Sequence, residues 1–113
     1  MTKKMDKLLA LDRTLHDPSR LLILTALYPV PRMEYQRLQK EWKFTQGNLA
    51  GHLIRLEKAG YVAIEKTFKG KRPQTWCSMT RKGREALYAY SQLLSAICEK
   101  PQPMKGIQSG GGN

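Results

Sequence analysis

The sequence is short of cysteine and of long apolar segments. Its 113 residues include two cysteines, Cys77 and Cys98, which form neither a CxxC pair nor a disulfide framework. We therefore expect a reducing, cytoplasmic compartment. The longest apolar stretch, residues 21–30, is interrupted by Thr25 and Pro29 and is about half of what a membrane-spanning helix needs.

Motifs of several enzyme classes are also missing. The chain contains no GxxxxGK[ST] or GxGxxG phosphate loop, no HExxH zinc motif and no GxSxG nucleophile motif. Its two histidines, His16 and His52, are far apart in the sequence. We therefore expect a protein that is not an enzyme and that has no cofactor.

Acidic residues are scarce beside basic ones. Lys and Arg number 20 and Asp and Glu number 9, so the net charge is +11, while 41% of the residues are hydrophobic and can build one core. We expect one domain over residues 1–100 and a disordered Gly- and Pro-containing tail over 101–113. The charge favours nucleic acid or an anionic membrane as partner. A membrane is the weaker candidate, because the basic residues concentrate on a predicted hairpin instead of one helix face.

Periodicity and capping residues predict four helices in the first half of the chain. The predicted bounds are 4–15, 18–27, 34–42 and 46–59. Asp17 before Pro18 is a typical start for the second helix, Thr45 is the expected N-cap of the fourth, and Gly60 is expected to end it. The apolar stripe of the fourth helix consists of Leu49, Leu53 and Leu56.

After Gly60 the apolar period changes from helical to alternating. Strands are predicted over 62–68 and 75–79, joined by a basic turn over 69–73. Thr80 is expected to cap a last helix that Pro101 and Pro103 would stop. The fold class is therefore mainly α with a small β-hairpin (α+β): a winged helix-turn-helix with four helices, a two-stranded wing and a long C-terminal helix.

Three segments of the chain resemble those of the MarR/ArsR-type winged-helix regulators, in their small single-domain branch. Residues 45–62, TQGNLAGHLIRLEKAGYV, resemble the family's recognition helix and its end. Residues 17–24, DPSRLLIL, are similar to the helix before the turn, and residues 80–83, TRKG, to the start of the last helix. The resemblance implies a homodimeric transcription regulator that binds double-stranded DNA, in which the first and last helices pair two subunits. It implies no metal here, because residues 33–42 lack the Cys and His of metal sensors, and it points to no particular small-molecule effector.

Within that family the fourth helix would enter the DNA major groove. Gly47 and Gly51 fall on its outer face, where a helix that only packs would gain from avoiding glycine. Glycine there would let the backbone approach the groove floor, although tolerated surface glycines are the simpler alternative. His52 lies at the edge of the core stripe, so packing competes with phosphate contact. The predicted contacts of this helix with DNA are Thr45, Gln46, Gly47, Asn48, Gly51, His52 and Arg55.

The basic turn is the second predicted contact with DNA. Residues 66–84 carry seven of the 20 basic residues and no acidic one. The wing over 66–75, with Lys69, Lys71 and Arg72, would contact the DNA backbone or the minor groove. The alternative is a solvated turn with scattered charge.

Apolar residues at helical spacing predict a dimer interface on the first and last helices. These residues are Leu8, Leu9, Leu15, Leu87, Tyr90, Leu94 and Ile97. The alternative is a monomer whose end helices close its own core. The function predicted from the sequence is therefore sequence-specific, homodimeric regulation of transcription, in the cytoplasm and on the nucleoid. The alternative is a winged-helix module that binds proteins, or RNA or DNA without sequence preference.

Overall fold

The computed structural model describes residues 3–98 and Met104, and folds them into five helices and one three-stranded sheet. The winged helix architecture and the mainly α fold class are as predicted. The bounds are α1 Lys3–Leu9, α2 Pro18–Leu27, β1 Met33–Glu34, α3 Tyr35–Glu41, α4 Gln46–Lys58, β2 Val62–Lys69, β3 Arg72–Met79 and α5 Arg81–Cys98. None of the described helices is long and apolar enough to cross a membrane.

Helix α2 forms the centre of the core. It starts as predicted, because the Asp17 side chain accepts a hydrogen bond from the backbone N–H of Arg20 at 3.0 Å. Its residues Ile23, Leu24 and Leu27 are completely buried. The buried stripe of α4 packs into the same cluster, so α2 and α4 are held together by apolar contacts.

The predicted first helix, 4–15, is too long. Helix α1 ends at Leu9, because the Asp12 carboxylate accepts hydrogen bonds from the backbone N–H groups of Thr14 and Leu15 and starts a turn there. Leu11 and Leu15 beyond the helix are buried in the core, whereas α1 itself contains no buried residue.

The sheet has a third strand that the two-stranded prediction lacks. The order is β1-β3-β2, all antiparallel, with Met33 opposite Cys77 in β3. Residue 34 was predicted to start the third helix, but it belongs to β1, and α3 starts one residue later. Strand β3 also begins earlier than predicted, at Arg72, because it pairs with β2 along its whole length. Burial raises the pKa of the Cys77 thiol to about 11, as suits a small core residue.

Helix α5 begins at a tight contact with the backbone just before β2. Thr80 caps it as predicted, accepting a hydrogen bond from the N–H of Gly83 at 2.9 Å. A Cβ atom on Gly83 would lie 2.1 Å from the backbone oxygen of Tyr61, so only glycine fits at this crossing. The predicted stops at Pro101 and Pro103, and the tail apart from Met104, lie outside the described residues.

Candidate nucleic-acid interface

A tight turn sets the angle between α3 and α4. Lys43 adopts a positive φ of 56°, and the N–H of Phe44 donates to the carbonyl of Gln39 at 3.1 Å. This is the geometry in which a left-handed residue ends a helix. Thr45 then caps α4 as predicted, accepting from the N–H of Asn48 at 3.2 Å. The two helices are thus joined by a helix-turn-helix connection.

Helix α4 has a buried face and an open face, as its periodicity predicts. Leu49, Leu53 and Leu56 are buried. Gly47 and Gly51 are exposed, and a Cβ atom on either would meet nothing within 4 Å. The core therefore does not require either glycine. The other exposed residues of this helix are Gln46, Asn48, Ile54, Arg55, Glu57 and Lys58.

A buried arginine connects α2 to the recognition face of α4. Arg20 is 8% exposed, and its Nε donates to the carbonyl of Thr14 at 2.6 Å. Its Nη1 lies 3.2 Å from Nδ1 of His52 and 3.8 Å from a carboxylate oxygen of Asp17. The hydrogen bond from the Arg20 amide is the main reason that the pKa of Asp17 lies below its ordinary value. His52 is thus anchored at its inner side to the core arginine.

Two open depressions flank this connection. One, with a volume of about 390 Å³, is lined by Asp17, Arg20, Gly47, Asn48, Gly51, His52 and Arg55, and we call it the polar depression. The other, also about 390 Å³, is lined by Arg13, Thr14, Arg20, Arg55, Lys58 and Ala59, and we call it the basic depression. Four of the six residues around the basic depression are cations, and none is an acid. Arg13 and Arg20 are not among the residues predicted to contact DNA, because only the tertiary structure brings them beside α4.

The wing borders the opposite edge of α4. A groove of about 320 Å³ is lined by residues of α4 and β2, among them one acid, Glu57, and one base, Lys66. Beyond it, Lys69 pairs with Arg72 at the end of the hairpin, and Gly70 takes a φ of +64° in the two-residue turn. Lys69, Lys71 and Arg72 are all exposed, as is Phe68 at 73%. The outer stripe of α4 therefore lies between the basic depression and a wing whose positive charge is concentrated at its tip.

The predicted dimer residues divide into two groups. Leu15 and Tyr90 lie in the core of the chain, with 0% and 6% exposure, and offer almost no surface to a partner. Leu8 and Leu9 on α1 are more than half exposed, and Leu87, Leu94 and Ile97 on α5 are half-buried. Helices α1 and α5 pack against each other and carry these five residues.

The described residues include no group of three or more His, Cys, Asp or Glu side chains placed to hold a metal ion. The arrangement around α4 instead offers hydrogen-bond donors, cations and an unobstructed helix backbone. Such a surface suits an extended polyanion that also presents hydrogen-bonding groups on the edges of its bases.

Comparisons with known proteins agree with this geometry. Residues 19–98 match the family model described as a winged helix DNA-binding domain. An uncharacterized protein of Methanocaldococcus jannaschii is 37% identical over 71 residues, which cover 63% of this chain and 77% of that protein.

Solved structures have the same fold. A transcriptional regulator homologue from Pyrococcus horikoshii OT3 superposes with a TM-score of 0.77 at 28% identity, over 87% of this chain and 96% of that one. Reduced AbfR bound to DNA superposes with a TM-score of 0.63 at 20% identity, over 88% of this chain and 67% of that one. The chain belongs to the winged helix DNA-binding domain family, and its fold is also that of a MarR-family protein from Porphyromonas gingivalis W83, which superposes with a TM-score of 0.61 at 17% identity.

Proposed function

We propose that the protein regulates transcription by binding specific sequences in duplex DNA as a homodimer, with α4 in the major groove. The observation that carries this proposal is the open stripe of α4 around Gly47 and Gly51, which lies between the basic depression and the wing. A major groove about 12 Å wide admits a helix, and glycines without side chains let the backbone come close to the base edges. DNA in complex with AbfR, a protein of the same fold, supports the same partner here.

The residues around α4 divide into those that would position the protein and those that would read bases. Arg13, Arg55 and Lys58 would neutralise phosphates on one side of the groove, and the wing would do so on the other. Asn48 and Gln46 are exposed amides at the start of α4, the part of a recognition helix that usually contacts bases. Such a protein would act in the cytoplasm, on the chromosome.

Selection of bound sequences from a random duplex pool tests the proposal directly. We expect one enriched palindromic site with half-sites about one helical turn, or a multiple of it, apart. Recovery of every sequence with similar efficiency would support a non-specific nucleic-acid module instead. A pool that yields no bound duplex would favour the protein-interaction alternative.

The wing is expected to contribute affinity that is independent of sequence. Lys71→Ala with Arg72→Ala should weaken binding to all duplexes and should reduce the slope of log K against log salt by roughly one for each phosphate that the wing no longer neutralises. Titration of labelled duplex at several salt concentrations measures this slope. The matched control is Lys40→Ala with Lys3→Ala, which removes two exposed cations from other helices. A slope equal to that of the unsubstituted protein would remove the wing from the interface.

A second copy of the chain is proposed to cover the exposed apolar residues of α1 and α5. Leu8 is 54% and Leu9 59% exposed, and a single recognition helix reads too few base pairs for high specificity. The proposed contact would be symmetric, as in most dimers.

Leu9→Glu should therefore give a monomer, because a carboxylate buried in the proposed contact would lose its water without gaining a cationic partner. Sedimentation should give about twice the chain mass of 12.9 kDa for the unsubstituted protein and about that chain mass for the variant. The variant should keep its helical spectrum, since Leu9 is outside the core. A 12.9 kDa species for the unsubstituted protein at micromolar concentration would contradict the dimer.

A further inference from the structure

We propose that Arg20 is a positioning residue for DNA recognition: it holds His52 in the tautomer that presents Nε2–H as a hydrogen-bond donor to an acceptor oxygen of the duplex. The inference rests on the proposed DNA-binding function and assigns a role to a buried residue that does not itself reach the groove. It starts from the hydrogen-bond chemistry of the two side chains.

A guanidinium group donates hydrogen bonds and accepts none. Because Nη1 of Arg20 lies 3.2 Å from Nδ1 of His52, the histidine nitrogen must be the acceptor. A neutral imidazole that accepts at Nδ1 carries its proton on Nε2. The contact thus determines the hydrogen-bonding character of the other nitrogen.

Arg20 is itself held in place by several partners. Nε donates to the carbonyl of Thr14 at 2.6 Å, Nη2 donates to the carbonyl of Arg13 at 3.4 Å, and the Asp17 carboxylate lies beside Nη1. The guanidinium is therefore fixed between the segment before α2 and the recognition helix. Rotation of the His52 ring away from this contact would leave a buried N–H of Arg20 without an acceptor, which would destabilise the fold.

His52 lines the polar depression together with Gly47, Gly51 and Asn48, on the face of α4 proposed to meet DNA. Arg55 lines the polar and the basic depressions. The polar depression also contains the Asp17 carboxylate, which lies 3.8 Å from Arg20 Nη1, so its two arginines outnumber its one acid and the surroundings favour an anionic or electron-rich oxygen. Two acceptors on DNA fit an imidazole N–H, a phosphate oxygen or a base-edge atom such as guanine O6. The chemistry is the same for both, and the experiment separates them.

Three substitutions at position 52 separate the inner contact from the outer one. His52→Asn retains a side-chain acceptor near Nδ1 and removes the outer donor. His52→Gln places an amide N–H near Nε2 and removes the inner acceptor, while His52→Ala removes both. We expect all three variants to fold, because His52 is only half-buried.

We expect DNA affinity and stability to follow different orders in these variants. Affinity should fall about tenfold or more in His52→Asn and His52→Ala and less than about threefold in His52→Gln, as for loss of one hydrogen bond to a charged acceptor. Thermal stability should instead be highest in His52→Asn. Uniform loss across duplex sequences would identify a phosphate as the acceptor, and loss only on the selected site would identify a base. Equal affinities for all three variants and the unsubstituted protein would overturn the inference.

A double-mutant cycle tests whether Arg20 acts through His52. Arg20→Lys keeps the charge but removes the planar fork, and should weaken DNA binding in the unsubstituted background and have little further effect beside His52→Ala. Additive effects would contradict the positioning role, and a merely structural role would lower stability without this coupling.

The tautomer of His52 can be observed directly by NMR. The ¹⁵N spectrum of the unsubstituted protein at about pH 8, above the ordinary pKa of histidine, should show an unprotonated Nδ1 and a protonated Nε2. The opposite pattern would overturn the inference even if Arg20→Lys fails to fold, and an unsubstituted protein that binds no duplex would contradict the proposed function itself.

Discussion

Gly51→Glu should abolish specific DNA binding and leave the fold intact. The new side chain would extend from the middle of the open face of α4, where a Cβ atom meets nothing within 4 Å. It would therefore cost the folded chain little, and glutamate is a better helix former than glycine. In the complex its carboxylate would stand against the phosphates and the base edges, and such like-charge contact costs several kcal/mol. We expect affinity for the selected site to fall by about 100-fold or more.

Two control variants separate charge and bulk from a general effect. Gly51→Gln adds the same volume without charge, and should weaken binding less than Gly51→Glu. Gln92→Glu places one added negative charge on the exposed surface of α5 and should leave binding nearly unchanged. Affinities are measured by titration of the selected duplex, and circular dichroism checks the fold. Normal operator binding by Gly51→Glu would mean that α4 does not enter the groove.

Gly83→Ala should be the most destabilising single-methyl change in the described part of the chain. Its Cβ atom would lie 2.1 Å from the Tyr61 oxygen and 2.9 Å from the Tyr61 carbonyl carbon, and both are backbone atoms that have no rotamer to change. Helix α5 would have to move away from the segment before β2, and the hydrogen bond from Thr80 to the Gly60 carbonyl at 2.6 Å would be strained with it. We expect a loss of about 3 kcal/mol in the free energy of unfolding, the upper end of the usual cost of overpacking, because both clashing atoms are backbone.

The matched control is the same substitution at another helical glycine. Gly51→Ala adds its methyl group to open space and should raise stability by roughly 0.5–1 kcal/mol, because alanine loses less entropy than glycine in a helix. Thermal unfolding measures both changes, and Gly83→Ala should lower Tm by about 12–24 °C for a domain of this size. A Tm for Gly83→Ala within a few degrees of the unsubstituted protein would show that α5 can shift without disturbing the core.

Helix starts were predictable wherever the determining contacts are local. Asp17, Thr45 and Thr80 each cap a helix as expected, and each does so through a backbone N–H three residues further on. The bond depends on a short polar side chain and its immediate neighbours. Helix α2 accordingly has the predicted bounds, and α4 differs from its prediction by one residue at its end.

The errors lie where distant residues or competing side chains decide the structure. Strand β1 is two residues long, too short for a periodic signal, and exists because β3 provides a partner more than 40 residues away. The end of α1 depends on Asp12. The apolar spacing around Asp12 predicts a helix that continues, but its carboxylate accepts hydrogen bonds from the backbone amides of Thr14 and Leu15 and so ends the helix. The turn at Lys43 lies between the third and fourth helices as their predicted bounds require, but its positive φ was not predictable, because Lys43 is not glycine.

The sequence by itself determined the net charge, the basic turn and the two faces of α4, because these follow from composition and from a period of about 3.6 residues along one helix. Only the tertiary structure decided which side chains meet at that face. Arg20 and His52 are 32 residues apart, and no pattern along the chain relates them. They come together because apolar packing of α2 against α4 brings the start of one helix beside the middle of the other. Leu15 and Tyr90 belong to the same buried cluster, although their apolar spacing alone does not distinguish a core residue from one at an interface.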